Sequence, residues 1–377
     1  MSRDPHDPTL RQILFKDVRA RELPGSVRRD FKDLLAFYLD DERRAKLRTM
    51  GRVRRALWVF IFLLKSLLAK LTPARRVMIA VALFLFVFNG RVRVGRLDLS
   101  LELAPWAFLL LLVVLMLELK DKLLARDEIE VARQVQMALL PRGHPRPQGW
   151  SLWSYTRPAN DVGGDLVDYL ELPSGRIGVA LGDVAGKGLG AALLMAKLQA
   201  TLRSLAPECP SLADLGARLN AILFRDGLEN RFATLFYLEI TPGSARLRYL
   251  NAGHNPPLIQ RGDGQEPLGA SSRPLGMLPG AAYAEGSVDL APGDLLVVYS
   301  DGLVEAENAG GEEFGAERLR RLLPHLRGQE AEAAGRRVLG EVDRFARGER
   351  VRDDLSLVTV LCGPARPGEP GAAPKAS

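Results

Sequence analysis

From Trp150 onward the chain breaks into short apolar runs closed by turn residues, and these runs follow one another without helices regularly between them. SLWSY, LVDYLEL, RIGVALGD, FATLFYLEI, ARLRYLNAG, PPLI, DLLVVYSD and DLSLVTVL have the β-branched and aromatic content, and in many cases the alternation, of strands. Helical spacing is confined to Ala191–Leu205, Leu212–Phe224, Glu317–Leu326 and Glu330–Ala346. Strands in series with helices in blocks predict an α+β fold of mainly antiparallel sheets.

The part before Trp150 is of another kind. Residues 1–76 carry 19 Lys and Arg against 9 Asp and Glu, a net of +10, whereas the rest of the 377-residue chain has 33 against 36. The overall charge of +7 is therefore local to the N-terminus. Two uncharged runs follow, Val77–Phe88 and Leu103–Leu117, with Trp106 near one end. Neither has a polar face, so they are expected to form two transmembrane helices, with the basic side and both termini in the cytoplasm. An earlier run, Ala56–Leu71, contains Lys65 and Lys70 and reads as an interfacial helix, or as a third span. The basic segment suits anionic lipid better than nucleic acid. Two cysteines, Cys209 and Cys362, and four scattered histidines offer neither a disulfide framework nor a zinc site.

The expected organisation is a basic region (1–76), a membrane hairpin (77–117), a helical linker (118–141), a catalytic domain (142–362) and a disordered Pro/Gly/Ala-rich tail (363–377). In the linker, Leu117, Leu124, Val131 and Ala138 recur every seven residues, beside Ala125, Ala132 and Leu139. That pattern permits a parallel coiled coil joining two copies, with Glu128 near the seam, or a lone amphipathic helix packed on its own domain.

The stretch LGDVAGKGLGAALLM (Leu181–Met195) imitates a phosphate-binding loop. It fails as a P-loop: Gly182 to Lys187 is one residue short, and Gly188 stands where a hydroxyl is needed. Gly186, Gly188 and Ala191 match a relaxed dinucleotide fingerprint, but Asp183 would repel a pyrophosphate and a helix follows where a parallel strand should. What remains is Asp183 ending an apolar strand. The arrangement recurs: Asp301 closes a strand, Asp353 and Asp354 open one, and Asp165 precedes another with Asp168 three residues on. Each is a turn former taken singly; converging at one rim, they would need hard, oxygen-seeking cations such as Mg²⁺ or Mn²⁺.

Five motifs in order carry a resemblance: Pro158–Asp165 (PANDVGGD), Gly182–Gly188 (GDVAGKG), Asn251–Pro257 (NAGHNPP), Ser300–Ala306 (SDGLVEA) and Asp353-Asp354. From about Ile129 to Leu361 the chain resembles the SpoIIE/RsbU branch of bacterial type 2C protein serine/threonine phosphatases. The resemblance implies a sandwich of two antiparallel sheets flanked by helices, with two Mn²⁺ or Mg²⁺ ions at one end. Position by position it makes Asp183 the carboxylate bridging both metals, the Val184 carbonyl a further ligand, and Asp301 and Asp353 the remaining direct ligands. Asp165 resembles the acid that holds waters on the metals. Asp354 stands where Asn is often found, as a ligand or in support of one, and Asp168 reads as structural. Asn160 and Ala185 occupy places where eukaryotic relatives have a phosphate-binding arginine and a histidine. Arg157 and Lys187 are the candidates for meeting phosphate charge. His254 is a proton donor or, as the preferred reading, a turn histidine. The implied function is a membrane-tethered phosphatase facing the cytoplasm and acting on a phosphorylated regulatory protein, such as an anti-sigma-factor antagonist, with a homodimer formed through the linker. The alternative is a non-catalytic phosphatase-like module that binds a partner.

Overall fold

The computed structural model describes residues 50–88, 90–94, 97–101, 103–226, 231–269, 272–349 and 352–363. The chain forms two compact units, Met1–Leu123 and Leu124–Ser377. Most of the basic N-terminal region and the tail beyond 363 lie outside the described residues.

In the first unit, α1 (Arg52–Lys70) is followed by α2 (Pro73–Val87), which begins with a proline at its first turn, where the missing N–H costs no helical bond. Strands β1 (Gly90–Val94) and β2 (Leu97–Leu101) pair as an antiparallel hairpin before α3 (Ala104–Leu139). This corrects the expected membrane hairpin. No helix among the described residues is long and apolar enough to cross a membrane. With 15 residues, α2 is only about 22 Å long, short of the ~30 Å hydrocarbon core. The apolar part of α3 ends at Glu118, and Arg75 of α2 binds Glu118 at 2.6 Å and Asp121 at 2.5 Å.

The second unit is a four-layer sandwich. Its strands are β3 (Trp150–Arg157), β4 (Leu166–Glu171), β5 (Ile177–Val184), β6 (Ala233–Ile240), β7 (Arg246–Ala252), β8 (Leu258–Arg261), β9 (Gly264–Pro267), β10 (Glu285–Asp289), β11 (Leu295–Tyr299) and β12 (Leu355–Cys362). They form two five-stranded sheets, in the orders β10-β7-β6-β5-β4 and β3-β12-β11-β8-β9, with antiparallel pairing throughout. Helices α4 (Leu189–Leu205) and α5 (Leu212–Asp226) cover the first sheet; α6 (Asp301–Val304), α7 (Gly315–Leu322) and α8 (Ala331–Ala346) belong with the second.

The strand alternation explains the layering. On β5, Val179 and Leu181 face the other sheet and meet Val298 of β11 and Val358 of β12, whereas Ala180 and Val184 face Leu198 and Leu219 of the helices. The register sets the site. Leu166 at the start of β4 pairs with Gly182 near the end of β5, and Tyr299 at the end of β11 pairs with Leu357 near the start of β12. Asp165 and Asp183 therefore share one end of the first sheet, and Asp301, Asp353 and Asp354 share one end of the second.

Candidate metal centre

The two strand ends meet. Asp183 feels the charges of Asp301, Asp353 and Asp354, and Asp165 feels those of Asp183 and Asp354. Burial, followed by repulsion from these neighbours, pushes the Asp183 carboxyl up to about 7. Burial, then the Asp183 charge, raises Asp165 well above the ordinary carboxylate range. Asp301 is raised by burial and by Asp353.

Local chemistry holds each acid. The turn after β5 passes through Gly186 at φ +108°, a region costly for any side chain; an added Cβ there would also stand 2.7 Å from Arg231 Nη1. Gly164 lies so close to β5 that a Cβ would be 3.1 Å from the Val184 carbonyl oxygen and 3.7 Å from Asp183 Oδ1. The Ser300 hydroxyl donates to the Asp354 carbonyl at 3.1 Å and accepts from the Ser356 amide at 2.8 Å, tying the Asp301 turn to the Asp354 turn.

Asp165 is the informative member. It is 4% exposed, and neither carboxylate oxygen has a hydrogen-bond partner. Ser300 and Ser356 lie near enough to temper its shift, but their hydroxyl protons go to the Asp354 carbonyl and to Thr156 Oγ1. A buried carboxylate without donors is costly and signals a missing partner. The donors available, from Asp165, Asp183, Asp301, Asp353 and the Val184 carbonyl, are all oxygen and suit a hard divalent cation. Among the described residues no three His, Cys, Asp or Glu side chains are gathered to hold a metal ion as they stand. The Lys187 ammonium sits 2.8 Å from Asp353 Oδ2 and donates to the Arg352 carbonyl at 2.7 Å.

Asp354 is engaged otherwise. Its Oδ1 accepts from the Ala159 amide at 2.7 Å and its Oδ2 from the Gly164 amide, so it fastens the PANDVGGD loop. Asp168 is fully buried and takes a bidentate bond from Arg203, at 2.7 and 2.8 Å. Arg157 turns to Asp343 on α8, at 2.9 Å. His254 is buried, its backbone amide bonded to Asn251 and its Nδ1 2.8 Å from Thr234 Oγ1; burial lowers it to about 4. Residues that carried no signal in the sequence also shape the site: Arg231 across the glycine loop, Ser356, and Gln136, which bonds Gly163. Only their neighbours in space reveal them.

The comparisons agree with this fold. The sequence model of the Stage II sporulation protein E (SpoIIE) family matches residues 173–362, half of the chain, and the chain belongs to that family. Phosphoserine phosphatase RsbP of Bacillus subtilis is 29% identical over 189 residues, 49% of this chain and 47% of that protein. Phosphoserine phosphatase RsbU of the same organism is 28% identical, covering 49% and 56%. Protein IcfG of Synechocystis sp. is 29% identical over 274 residues, 64% of this chain and 42% of that protein. The chain thus spans about half the length of these curated relatives. The fold is shared with the PP2C phosphatase domain of SpoIIE from Bacillus subtilis, at 23% identity and TM-score 0.52 over 58% of this chain and 63% of that one. It is also shared with the SiaA-PP2C domain of Pseudomonas aeruginosa, at 18% identity and TM-score 0.53 over 64% and 98%.

Proposed function

We propose that this chain is a Mn²⁺- or Mg²⁺-dependent protein phosphatase that removes phosphate from phosphoserine or phosphothreonine on a regulatory protein. The observation that carries the reading is that Asp183 feels the charges of Asp301 and Asp353 beside an Asp165 that is buried and unpartnered. Family membership and the names of RsbP and RsbU support phosphoserine as the substrate group. Asp183, Asp301, Asp353 and the Val184 carbonyl would hold the cations. When bound, divalent ions supply positive charge for the transferring phosphoryl group and acidify the attacking water. Asp165 Oδ1 and Oδ2, which lack donors, are suited to accept the protons of that water and orient it. Lys187, once Asp353 is otherwise neutralised, is free to meet a phosphate oxygen.

The test is phosphate release from a phosphorylated antagonist domain by the purified chain with Mn²⁺. Release that requires Mn²⁺ and disappears in Asp183→Asn is expected. No release would mean a non-catalytic binding module, which the ungathered carboxylates would also suit, and release unchanged by the substitution would remove Asp183 from the reaction.

The same reading extends to a substrate of the anti-sigma-factor-antagonist kind and to the inner membrane surface as its location. Val77, Phe84, Phe86, Trp106 and Phe108 are exposed on α2 and α3, which supports peripheral association; flotation with anionic vesicles checks it. Pairing of two copies along α3 is supported by the exposed Leu124 and Val131, and crosslinking through a cysteine at position 124 checks that.

A further inference from the structure

We infer that Gln136, near the end of α3, is a positioning residue for the candidate metal centre, an inference that rests on the metal-dependent reading above. Gln136 is 8% exposed, and both ends of its amide are used on one residue. Nε2 donates to the Gly163 carbonyl at 2.7 Å, and Oε1 accepts from the Gly163 amide at 3.0 Å. The side chain thus pairs with a backbone unit as a neighbouring strand would, fixing its plane as well as its position.

What it fixes is two residues from the unpartnered acid. Gly163 is pressed against Asp354, so that an added Cβ would be 2.7 Å from Asp354 Oδ2. The same oxygen accepts from the Gly164 amide, and Asp165 follows. The end of α3 is itself bolted to the domain. The Leu139 carbonyl accepts from Gln199 Nε2 at 2.9 Å and from Arg203 Nη2 at 3.3 Å. Arg203 in turn grips Asp168, three residues beyond Asp165. Residues 163–168 are therefore held from both ends by groups tied to α3: Gln136 directly and Arg203 through Leu139. Groups that orient metal ligands commonly change affinity 10- to 100-fold when removed. Gln136 lies outside the stretch matched by the family's sequence model, so its role is read from contacts alone.

The experiment measures Mn²⁺ affinity of the full chain by calorimetry, with phosphate release followed alongside. Gln136→Met keeps the length and loses both bonds; it should weaken Mn²⁺ binding about tenfold or more. Gln136→Glu keeps an acceptor for the Gly163 amide but sets an oxygen against the Gly163 carbonyl. Its added negative charge alone would tighten cation binding, so weakened binding reports the broken clamp. Met137→Ala, at an exposed neighbour, should bind within about twofold of the native chain. Native affinity in either folded Gln136 variant overturns the inference, and Gln136→Glu decides if Gln136→Met does not fold. A native chain that binds Mn²⁺ without releasing phosphate ends the phosphatase reading, while the binding comparison still decides the clamp. A native chain that binds no Mn²⁺ overturns both.

Discussion

Asp183 holds a carboxyl whose proton is retained to about pH 7 by burial and three neighbouring acids. With its folded value above the unfolded one near 3.8, its contribution to stability is present below about pH 4 and lost as pH rises through about 7. In metal-free protein, Asp183→Asn should therefore raise stability at pH 8 by on the order of 4 kcal/mol and flatten the decline between pH 5 and 8. Urea unfolding in a chelator at several pH values measures this; a destabilised Asn variant at pH 8 would refute the electrostatic account. His254 behaves oppositely. Its folded value of about 4 lies below the unfolded 6.5, so the stability it contributes is present above 6.5 and lost as pH falls toward 4. Replacing it by Gln should remove on the order of 3 kcal/mol of that acid-side loss, read as a shallower fall in unfolding free energy from pH 6.5 to 4.5. The acids were legible in the sequence, because Asp at strand ends beside glycine is a local pattern. Their mutual repulsion was not, since Asp183 and Asp301 are neighbours only once the two sheets are stacked.

Among the elements, the packing of α8 on β3 turns on one small residue. Gly335 faces Trp153 so closely that an added Cβ would be 2.2 Å from the indole, whereas Gly340 on the same helix has nothing within 4 Å. Glycine to alanine within a helix ordinarily stabilises by about 0.5–1 kcal/mol. Overpacking costs about 1–3 kcal/mol and wins where the space is filled. Gly340→Ala should thus raise the urea midpoint and Gly335→Ala should lower it; like signs would show that the ring yields. Strands β3 to β8, β11 and β12 and the four long helices of the second unit were readable from apolar spacing. Strands β9 (GQEP) and β10 (EGSVD) were not, because edge strands with mostly exposed side chains carry no apolar alternation. The hairpin β1–β2 was missed between two long apolar runs that read as spans. Those runs were correctly apolar, but only the structure shows that α2 stops after 15 residues and that α3 begins at Ala104 and so turns charged at Glu118 within about its first four turns.

At the scale of the whole molecule, every candidate ligand and Gln136 belong to the unit Leu124–Ser377. A chain beginning at Leu124 should fold cooperatively and bind Mn²⁺ within about threefold of the full chain, whereas one beginning at Arg142 should lose about tenfold with Gln136. Calorimetry on the two truncations checks this, and equal affinities would show that α3 contributes nothing to the centre. The sequence by itself determined the α+β class and the family and named the candidate acids, because periodicity, turn chemistry and ordered motifs are properties of the chain. Only the tertiary structure decided which of those acids face one another, that Asp354 fastens a loop, and that Lys187 lies on Asp353. Those outcomes depend on register and on sheet stacking, which bring together residues as far apart as 159 and 354 through interactions no local pattern encodes.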